Sequence, residues 1–350
     1  MAGRILIYGA NGYTAELIVE LALKEGAKPI LAGRSPEKIK PIADRAGLEC
    51  RAFSLDDPAA VDKGLAGIGV VLHCAGPFSR TARQMAEGCI RNKAHYLDIT
   101  GEIEVFEMMA AMSKRASDVG VMLMPGTGFD VVPSDCLAAH LKRRLPDAFE
   151  LTLAFHGVGK PSRGTATTMI ENIHRGGMIR RDARLVPVPA AWQMRQIDFG
   201  NGPVNTMSIP WGDVSTAFYS TGIPNIQVFM AAPPDLTRMA KMSRYIGWLI
   251  GSAPVQALLK KQIQAGPAGP DAEARRTGKS FLWGEAKNRS GRAVHTRLTA
   301  GEGYALTAST AWAIAKHAAN GNVKTGFRTP SMVFGPDFIL EFGAQRTDLD

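Results

Sequence analysis

Cysteine is scarce: Cys50, Cys74, Cys89 and Cys136 are the four in 350 residues. None forms a CxxC pair and none sits among clustered histidines, which excludes a disulfide framework and a structural zinc site, so no metal is expected. The opening MAGRILIYGA has no charged n-region, no long apolar h-region and no small-residue cleavage site. A secretory signal is therefore not expected, and a cytoplasmic, reducing location is. Acidic residues are outnumbered, 32 against 41 basic ones, for a formal charge of +9. Apart from Lys142-Arg143-Arg144 and Arg180-Arg181 the basic residues are scattered, and no nucleic-acid-binding module is visible. The charge reads as solvated surface, with no nucleic-acid partner. Internal repeats and low-complexity tracts are absent, and the sequon Asn288-Arg289-Ser290 reads as part of a hairpin turn.

What is present is an ordinary globular composition, 45% apolar and 21% charged, in a chain long enough for about two domains. The first third alternates strand-like and helix-like segments. Strands are predicted at Arg4–Tyr8, Lys28–Ala32, Cys50–Phe53, Val70–Cys74, His95–Ile99 and Val121–Met124. Between them, Ala15–Lys24 places Leu17, Ile18 and Leu21 on one face and stops at Gly26. Ser35-Pro36 and Asp57-Pro58 pair an N-cap with proline at the first helical position, and Ser134 is a candidate cap for Asp135–Leu145. Short apolar strands interleaved with helices imply a doubly wound parallel sheet of Rossmann type, an α/β domain over 1–148.

Beyond that point the rhythm changes. Strands are predicted at Glu150–Phe155, Gln196–Phe199, Asn205–Ile209, Ser215–Thr221 and Ile226–Ala231, and a hairpin pairs Ser280–Ala286 with Ala293–Leu298. Helices are predicted near Thr165–Ile173, Leu236–Ile250, Val255–Gln264 and Ala305–Ala319. Residues 149–302 therefore read as a mixed α+β domain for substrate or oligomerisation. Residues 303–350 form a C-terminal segment expected to return to the first domain.

The sharpest motif is Gly9-Ala10-Asn11-Gly12-Tyr13-Thr14-Ala15, which leaves the first strand and opens the first helix. Gly9 permits a tight turn, Gly12 lets the backbone approach a diphosphate, and small Ala15 allows close helix–strand packing. Phosphates would sit on helix N-terminal amides, with Asn11, Tyr13 and Thr14 alongside. At the end of the second strand, Ala32-Gly33-Arg34-Ser35 offers no acid for a ribose hydroxyl. Arg34 can instead pair with a 2′-phosphate and Ser35 can donate to it, which points to NADP(H). Ala75-Gly76-Pro77-Phe78 after the fourth strand and Asp98-Ile99-Thr100-Gly101-Glu102 after the fifth, with Thr100 as its candidate contact, would complete the crevice, though turn and cap roles explain them as well.

Together GANGYTA (9–15), AGR-S (32–35), HCAGPF (73–78), HYLDITGE (95–102) and GTGFDVVPSDCLA (126–138) resemble saccharopine dehydrogenase-like oxidoreductases. The branch they look most like is the trans-acting enoyl reductases. Residues 266–286, 303–308 and 326–343 extend the similarity along nearly the whole chain. The resemblance implies an NADP-binding Rossmann domain, a second domain shaping a substrate pocket, and often oligomerisation. One departure stands out: Gly128-Phe129-Asp130 is followed by Val131-Val132-Pro133, where the amino-acid-metabolising branch more typically has proline and glycine after the acid. That puts a diamino-acid substrate in doubt.

Hydride transfer asks the protein to orient two reactants, exclude water and manage one proton. Asp130 and Ser134 are the candidates for orienting substrate or relaying that proton. Their alternatives are an Asx-turn brace and a helix cap. Arg163 and Thr165 open a helix that could hold an anionic substrate group, and Arg180-Arg181 reads as a solvated pair. Residues 239–259, rich in Met, Tyr, Trp, Ile and Leu with basic flanks, are too short in their apolar core to span a bilayer. A lid, a homodimer interface and a peripheral membrane contact all remain open for them. Three functions follow: an NADPH-dependent reductase of a lipid- or polyketide-like enoyl substrate, an imine- or amino-acid-directed dehydrogenase, and a non-catalytic dinucleotide-binding or membrane-surface scaffold.

Overall fold

The computed structural model describes residues 3–157, 159, 161–172 and 176–350. The chain opens with β1 (Ile5–Tyr8), α1 (Tyr13–Lys24), β2 (Ile30–Gly33), α2 (Pro36–Ala46), β3 (Cys50–Ala52), α3 (Pro58–Leu65) and β4 (Val70–His73). It continues through α4 (Phe78–Asn92), β5 (His95–Asp98), α5 (Ile103–Ala111), α6 (Ser113–Asp118), β6 (Met122–Met124) and α7 (Val132–Arg144). The runs ILAG in β2 and VVLH in β4 are buried along their whole length, as strands covered on both faces must be. All six strands pair in parallel, with Leu6 opposite both Ile30 and Val71. Helix starts follow local chemistry: Asp57 accepts a bond from the Ala59 amide at 2.9 Å and Pro36 occupies the first turn of α2. Ser35 stands at that N-cap without a side-chain cap bond. The expected Ser134 cap is corrected, because α7 starts at Val132 and encloses Ser134.

The next stretch holds β7 (Glu150–His156), α8 (Arg163–Asn172), β8 (Gly177–Arg181), β9 (Arg184–Val188), β10 (Met194–Asp198) and β11 (Pro203–Ser208). Then come α9 (Asp213–Thr221), β12 (Asn225–Ala231), α10 (Pro234–Ile250), α11 (Ala253–Ala265), α12 (Ala272–Thr277), β13 (Lys279–Lys287) and β14 (Ala293–Gly301). The main strand order is β10-β11-β12-β7-β13-β14, with the β8–β9 hairpin attached beside β12. One face of β7 and β13 carries Leu153 opposite Gly284. Leu137 and Leu141 of α7 pack there so closely that a Cβ on Gly284 would lie 2.5 Å from Leu141 Cδ1. The other face gathers Ala154, Ile197, Phe199, Phe229 and Trp283.

The chain ends with α13 (Gly303–Ala319), β15 (Gly326–Phe327), α14 (Pro330–Phe334) and β16 (Gln345–Asp348). β15 joins the first sheet beside β6, giving the order β15-β6-β5-β4-β1-β2-β3, whereas β16 pairs with β14 in the second. Two compact units result, Met1–Val132 with Tyr304–Val333, and Pro133–Gly303 with Phe334–Asp350. The expected division at 148 lies at 132 instead, because α7 buries its leucines on the second sheet. The C-terminal segment is shared: Trp312 donates to Glu25 at 2.8 Å in the first unit, and Asp348 meets His140 at 2.9 Å in the second.

Two further expectations change. Ser215–Thr221, predicted as a strand, forms most of α9. Gly222 closes that helix in the left-handed region at φ 69, and Thr221 turns its hydroxyl onto the Ala217 carbonyl, so the hydroxyls are satisfied inside the helix. Arg180-Arg181 is not a solvated pair. Arg180 is 4% exposed, donates to the carbonyls of Val214 at 2.7 Å and Ala183 at 2.8 Å, and lies 4.3 Å over the Phe218 ring. The predicted helix end at Ile173 lies outside the described residues.

Replacing Arg180 with Met would strand two buried carbonyls. Arg180→Met is expected to lower unfolding free energy by about 2–3 kcal/mol, whereas Arg181→Met should stay within about 0.5 kcal/mol. Urea denaturation of the two variants against the parent protein checks the contrast.

Candidate functional site

In the first sheet, β1 and β4 are neighbours whose connections depart to opposite sides, the switch point at which doubly wound sheets open a crevice. The loops leaving these strands touch backbone to backbone. Gly9 has φ +82, and a Cβ there would lie 2.8 Å from the Ala75 nitrogen. Gly12 donates to the Gly9 carbonyl at 2.9 Å, and its own Cβ would stand 3.2 Å from that oxygen. The expected turn therefore forms, with Asn11 exposed at its tip and Gly12, Tyr13 and Thr14 half-buried at the start of α1.

Two helix N-termini flank this crevice, and they differ in chemistry. The first turn of α4 is occupied from within: the Glu102 carboxylate accepts from the Phe78 amide at 2.8 Å and the Ser79 amide at 3.0 Å. The N-cap of α1 is Gly12, which has no side chain with which to cap it. An incoming anion therefore finds the positive end of α1, since that of α4 is already neutralised.

Glu102 is held by a relay that runs back into the sheet. Its amide donates to Thr100 Oγ1 at 3.0 Å, and the Thr100 amide donates to Asp98 Oδ1 at 2.9 Å. The same Asp98 oxygen accepts from the Gly126 amide at 2.8 Å, and Oδ2 accepts from the Tyr96 hydroxyl at 2.6 Å. Burial pushes the Asp98 carboxyl up to about 7, against the opposing pull of those donors. Thr100 itself is 1% exposed, so its hydroxyl serves the loop.

Beneath the β4 end, His73 is fully enclosed. Thr81 gives its hydroxyl hydrogen to the Ala75 carbonyl at 2.7 Å, leaving its oxygen to accept from His73 Nε2 at 2.9 Å. His73 thereby positions the 75–78 loop. Its ring meets Phe78 edge-on with centroids 5.5 Å apart, and burial lowers its pKa to about 3.

Arg34 follows β2 directly, is exposed, and makes no hydrogen bond or ion pair with any described residue. Gly33 before it is required by packing, since a Cβ would meet Ile39 Cδ1 at 2.8 Å. The glycine cradle, the uncapped helix and an unengaged guanidinium fit a dinucleotide that carries an extra phosphate.

After β6 the loop to Val131 is fastened by α13. The Phe129 amide donates to Thr307 Oγ1 at 2.9 Å, and Thr310 Oγ1 donates to the Thr127 carbonyl at 2.8 Å. Asp130 is half-buried and lies against the β5 loop, where a Cβ on Gly101 would be 2.7 Å from its Oδ2. Burial raises its carboxyl to about 6. The other expected site residues belong to the second unit. Ser134 is wholly enclosed in α7. Arg163 turns its Nε onto the Gly266 carbonyl at 2.9 Å, and Thr165 shares a 3.2 Å contact with Ser162 Oγ, both in the second unit. Sequence reasoning placed Asp98 and Glu102 in a crevice loop without their bracing roles, and assigned no role to His73. HYLDITGE held the first two in plain sight, but a cap reaching across to another helix has no local signal. Thr307 and Thr310 lie about half the chain length away from the loop they hold.

The neutral, enclosed His73 predicts a definite acid response. Its folded pKa is depressed, so stability is present above the unfolded value near 6.5 and is lost as pH falls toward 3. His73→Gln keeps a donor for Thr81 and should remove up to about 1.4 kcal/mol per pH unit from the acid slope in that window. Denaturant titrations across the window check this, and an unchanged slope would contradict it.

Comparison with known proteins agrees with the geometry. Residues 5–124 match the saccharopine dehydrogenase NADP binding domain. A human saccharopine dehydrogenase-like oxidoreductase is 27% identical over 161 residues, which cover 40% of this chain and 38% of that protein. A trans-acting enoyl reductase from Mycobacterium leprae is 32% identical over 149 residues, 40% of this chain and 36% of that one. The matched stretch thus spans well under half the length of these relatives. In fold, apo saccharopine dehydrogenase (L-Glu forming) from Saccharomyces cerevisiae aligns over 99% of this chain and 100% of its own at a TM-score of 0.67, with 12% identity. A glycine cradle, a first helix with glycine at its N-cap and a strand-end arginine thus lie on the stretch, residues 5–124, that is similar to the saccharopine dehydrogenase NADP binding domain.

Proposed function

We propose that the protein is an NADPH-dependent reductase acting on the carbon–carbon double bond of an enoyl, lipid- or polyketide-like small molecule. The observation that carries the cofactor half is Arg34, exposed and unengaged at the end of β2 beside an uncapped α1. The substrate half rests on the resemblance to relatives named trans-acting enoyl reductases. Val131-Val132 after Asp130, where the amino-acid-metabolising branch more typically has proline and glycine, supports it.

Bound NADPH would supply a hydride to the carbon β to the substrate carbonyl. The Gly9–Gly12 turn and the α1 terminus hold the diphosphate, while Arg34 and Ser35 hold the 2′-phosphate. The 75–78 loop, braced by His73 and Glu102, shapes the wall of the crevice. Asp130 keeps a proton through mildly acidic pH and delivers it to the α carbon. Ser134, enclosed in its helix, has no part in this scheme. Arg163 and Thr165, which contact Gly266 and Ser162, remain the candidates for holding an anionic substrate group.

Arg34→Ala is expected to weaken NADPH binding about 10- to 100-fold, the worth of charge-assisted hydrogen bonds, while leaving NADH nearly unchanged. Fluorescence titration with both coenzymes reads this, and equal losses would remove the 2′-phosphate role. Asp130→Asn should lower kcat about 10²–10⁴-fold with an enoyl thioester. Its raised carboxyl makes the parent enzyme fastest below about pH 6, falling as pH rises and the proton is lost, a limb the variant lacks. Absorbance assays with enoyl and imine substrates decide the reaction class, and turnover of imines alone would overturn the enoyl reading.

A further inference from the structure

Helix α10 is amphipathic in the reverse sense. Met242, Tyr245, Ile246 and Leu249 stand at i, i+3, i+4 and i+7, the spacing that normally faces a core. Here that stripe faces outward: Tyr245 is 81% exposed, and Trp248 beside it is 78% exposed. The side packed on the protein is made of small residues. Ala240 lies against the cluster of Ala191, Met207 and Ala232, and Ser243 is buried with its hydroxyl on the Ala240 carbonyl at 2.8 Å. Arg244 pins the helix down by donating to the carbonyls of Ala190 and Ala191, each at 2.8 Å. The helix is thus firmly seated with its greasy side displayed, and isolated apolar patches of this kind mark interaction surfaces.

Charge identifies the occupant. Between Asp235 and Asp271 there is no acidic residue, although the chain holds 32 elsewhere, while Arg238, Lys241, Arg244, Lys260 and Lys261 fall in the gap. Lys260 pairs with Glu171 at 2.5 Å, whereas Lys241 and Arg238, the latter 3.4 Å from the exposed Asp235, are exposed on α10 itself. Tyr and Trp are the side chains that settle at the boundary between headgroups and acyl chains. A basic helix with an aromatic and aliphatic face suits shallow insertion into an anionic leaflet. Among the described residues no helix is long and apolar enough to cross a membrane, so the contact is a surface one.

We infer that α10 docks this protein on anionic phospholipid bilayers, with the Met242–Leu249 stripe inserted among the lipids and Arg238 and Lys241 at the phosphates. The test uses the full chain with vesicles of phosphatidylcholine alone or mixed with phosphatidylglycerol. Sedimentation with the mixed vesicles at low salt, lost at high salt, is expected. Lys241→Gln should weaken that binding about fivefold and Trp248→Ser about tenfold or more, with unchanged circular dichroism and NADPH affinity. Brominated lipids should quench tryptophan fluorescence in the parent protein and not in Trp248→Phe. Failure to bind mixed vesicles, binding indifferent to salt, or quenching that survives Trp248→Phe would overturn the inference. So would light scattering that shows a dimer converted to monomer by Trp248→Ser, because the face would then belong to a second copy of the chain.

Discussion

The approach of Gly9 to Ala75 is the constraint on which the dinucleotide crevice depends. A Cβ at Gly9 would fall 2.8 Å from the backbone of Ala75, so the loops after β1 and β4 can meet only where one of them has no side chain. At the switch point of the sheet these loops leave in opposite directions. Their contact at the root sets how wide the crevice opens and aims the first turn of α1 across it. Everything that would touch a coenzyme is positioned relative to that contact.

A second layer keeps the crevice selective. Asp98 accepts from the amides of Thr100 and Gly126 and from the Tyr96 hydroxyl, tying the ends of β5 and β6 together below the surface. From that brace Glu102 reaches across to neutralise α4. One internal carboxylate thereby removes a competing anion site and leaves α1 as the positive pole. His73, neutral and enclosed, performs the matching task for the 75–78 loop through Thr81. These groups hold the loops and helix ends around the crevice in place, as supporting shells commonly must.

The second unit follows different rules. Its sheet takes the α7 leucines on one face and gathers its own aromatic cluster on the other. Arg180 and Arg163 spend their guanidinium hydrogens on backbone carbonyls, which is how buried or half-buried arginines become compatible with a packed interior. Helix α10 is the exception, because its apolar stripe is turned away from the body of the unit.

Local sequence determined a good deal by itself. The six parallel strands were legible to within a residue or two, since continuous apolar runs have no other stable use in a βα repeat. The glycine turn and Arg34 were legible because their chemistry lies in consecutive residues. Tertiary structure alone decided the rest. Residues 213–221 look strand-like until Gly222 and back-bonded hydroxyls close them into α9. The β8–β9 hairpin turns on Asp182 and Ala183, both at positive φ, without the glycine that usually announces such a turn. The C-terminal segment divides between two sheets because β15 and β16 find different edges. In each case the deciding partner is distant in the chain, and propensity carries no information about a neighbour that only folding supplies.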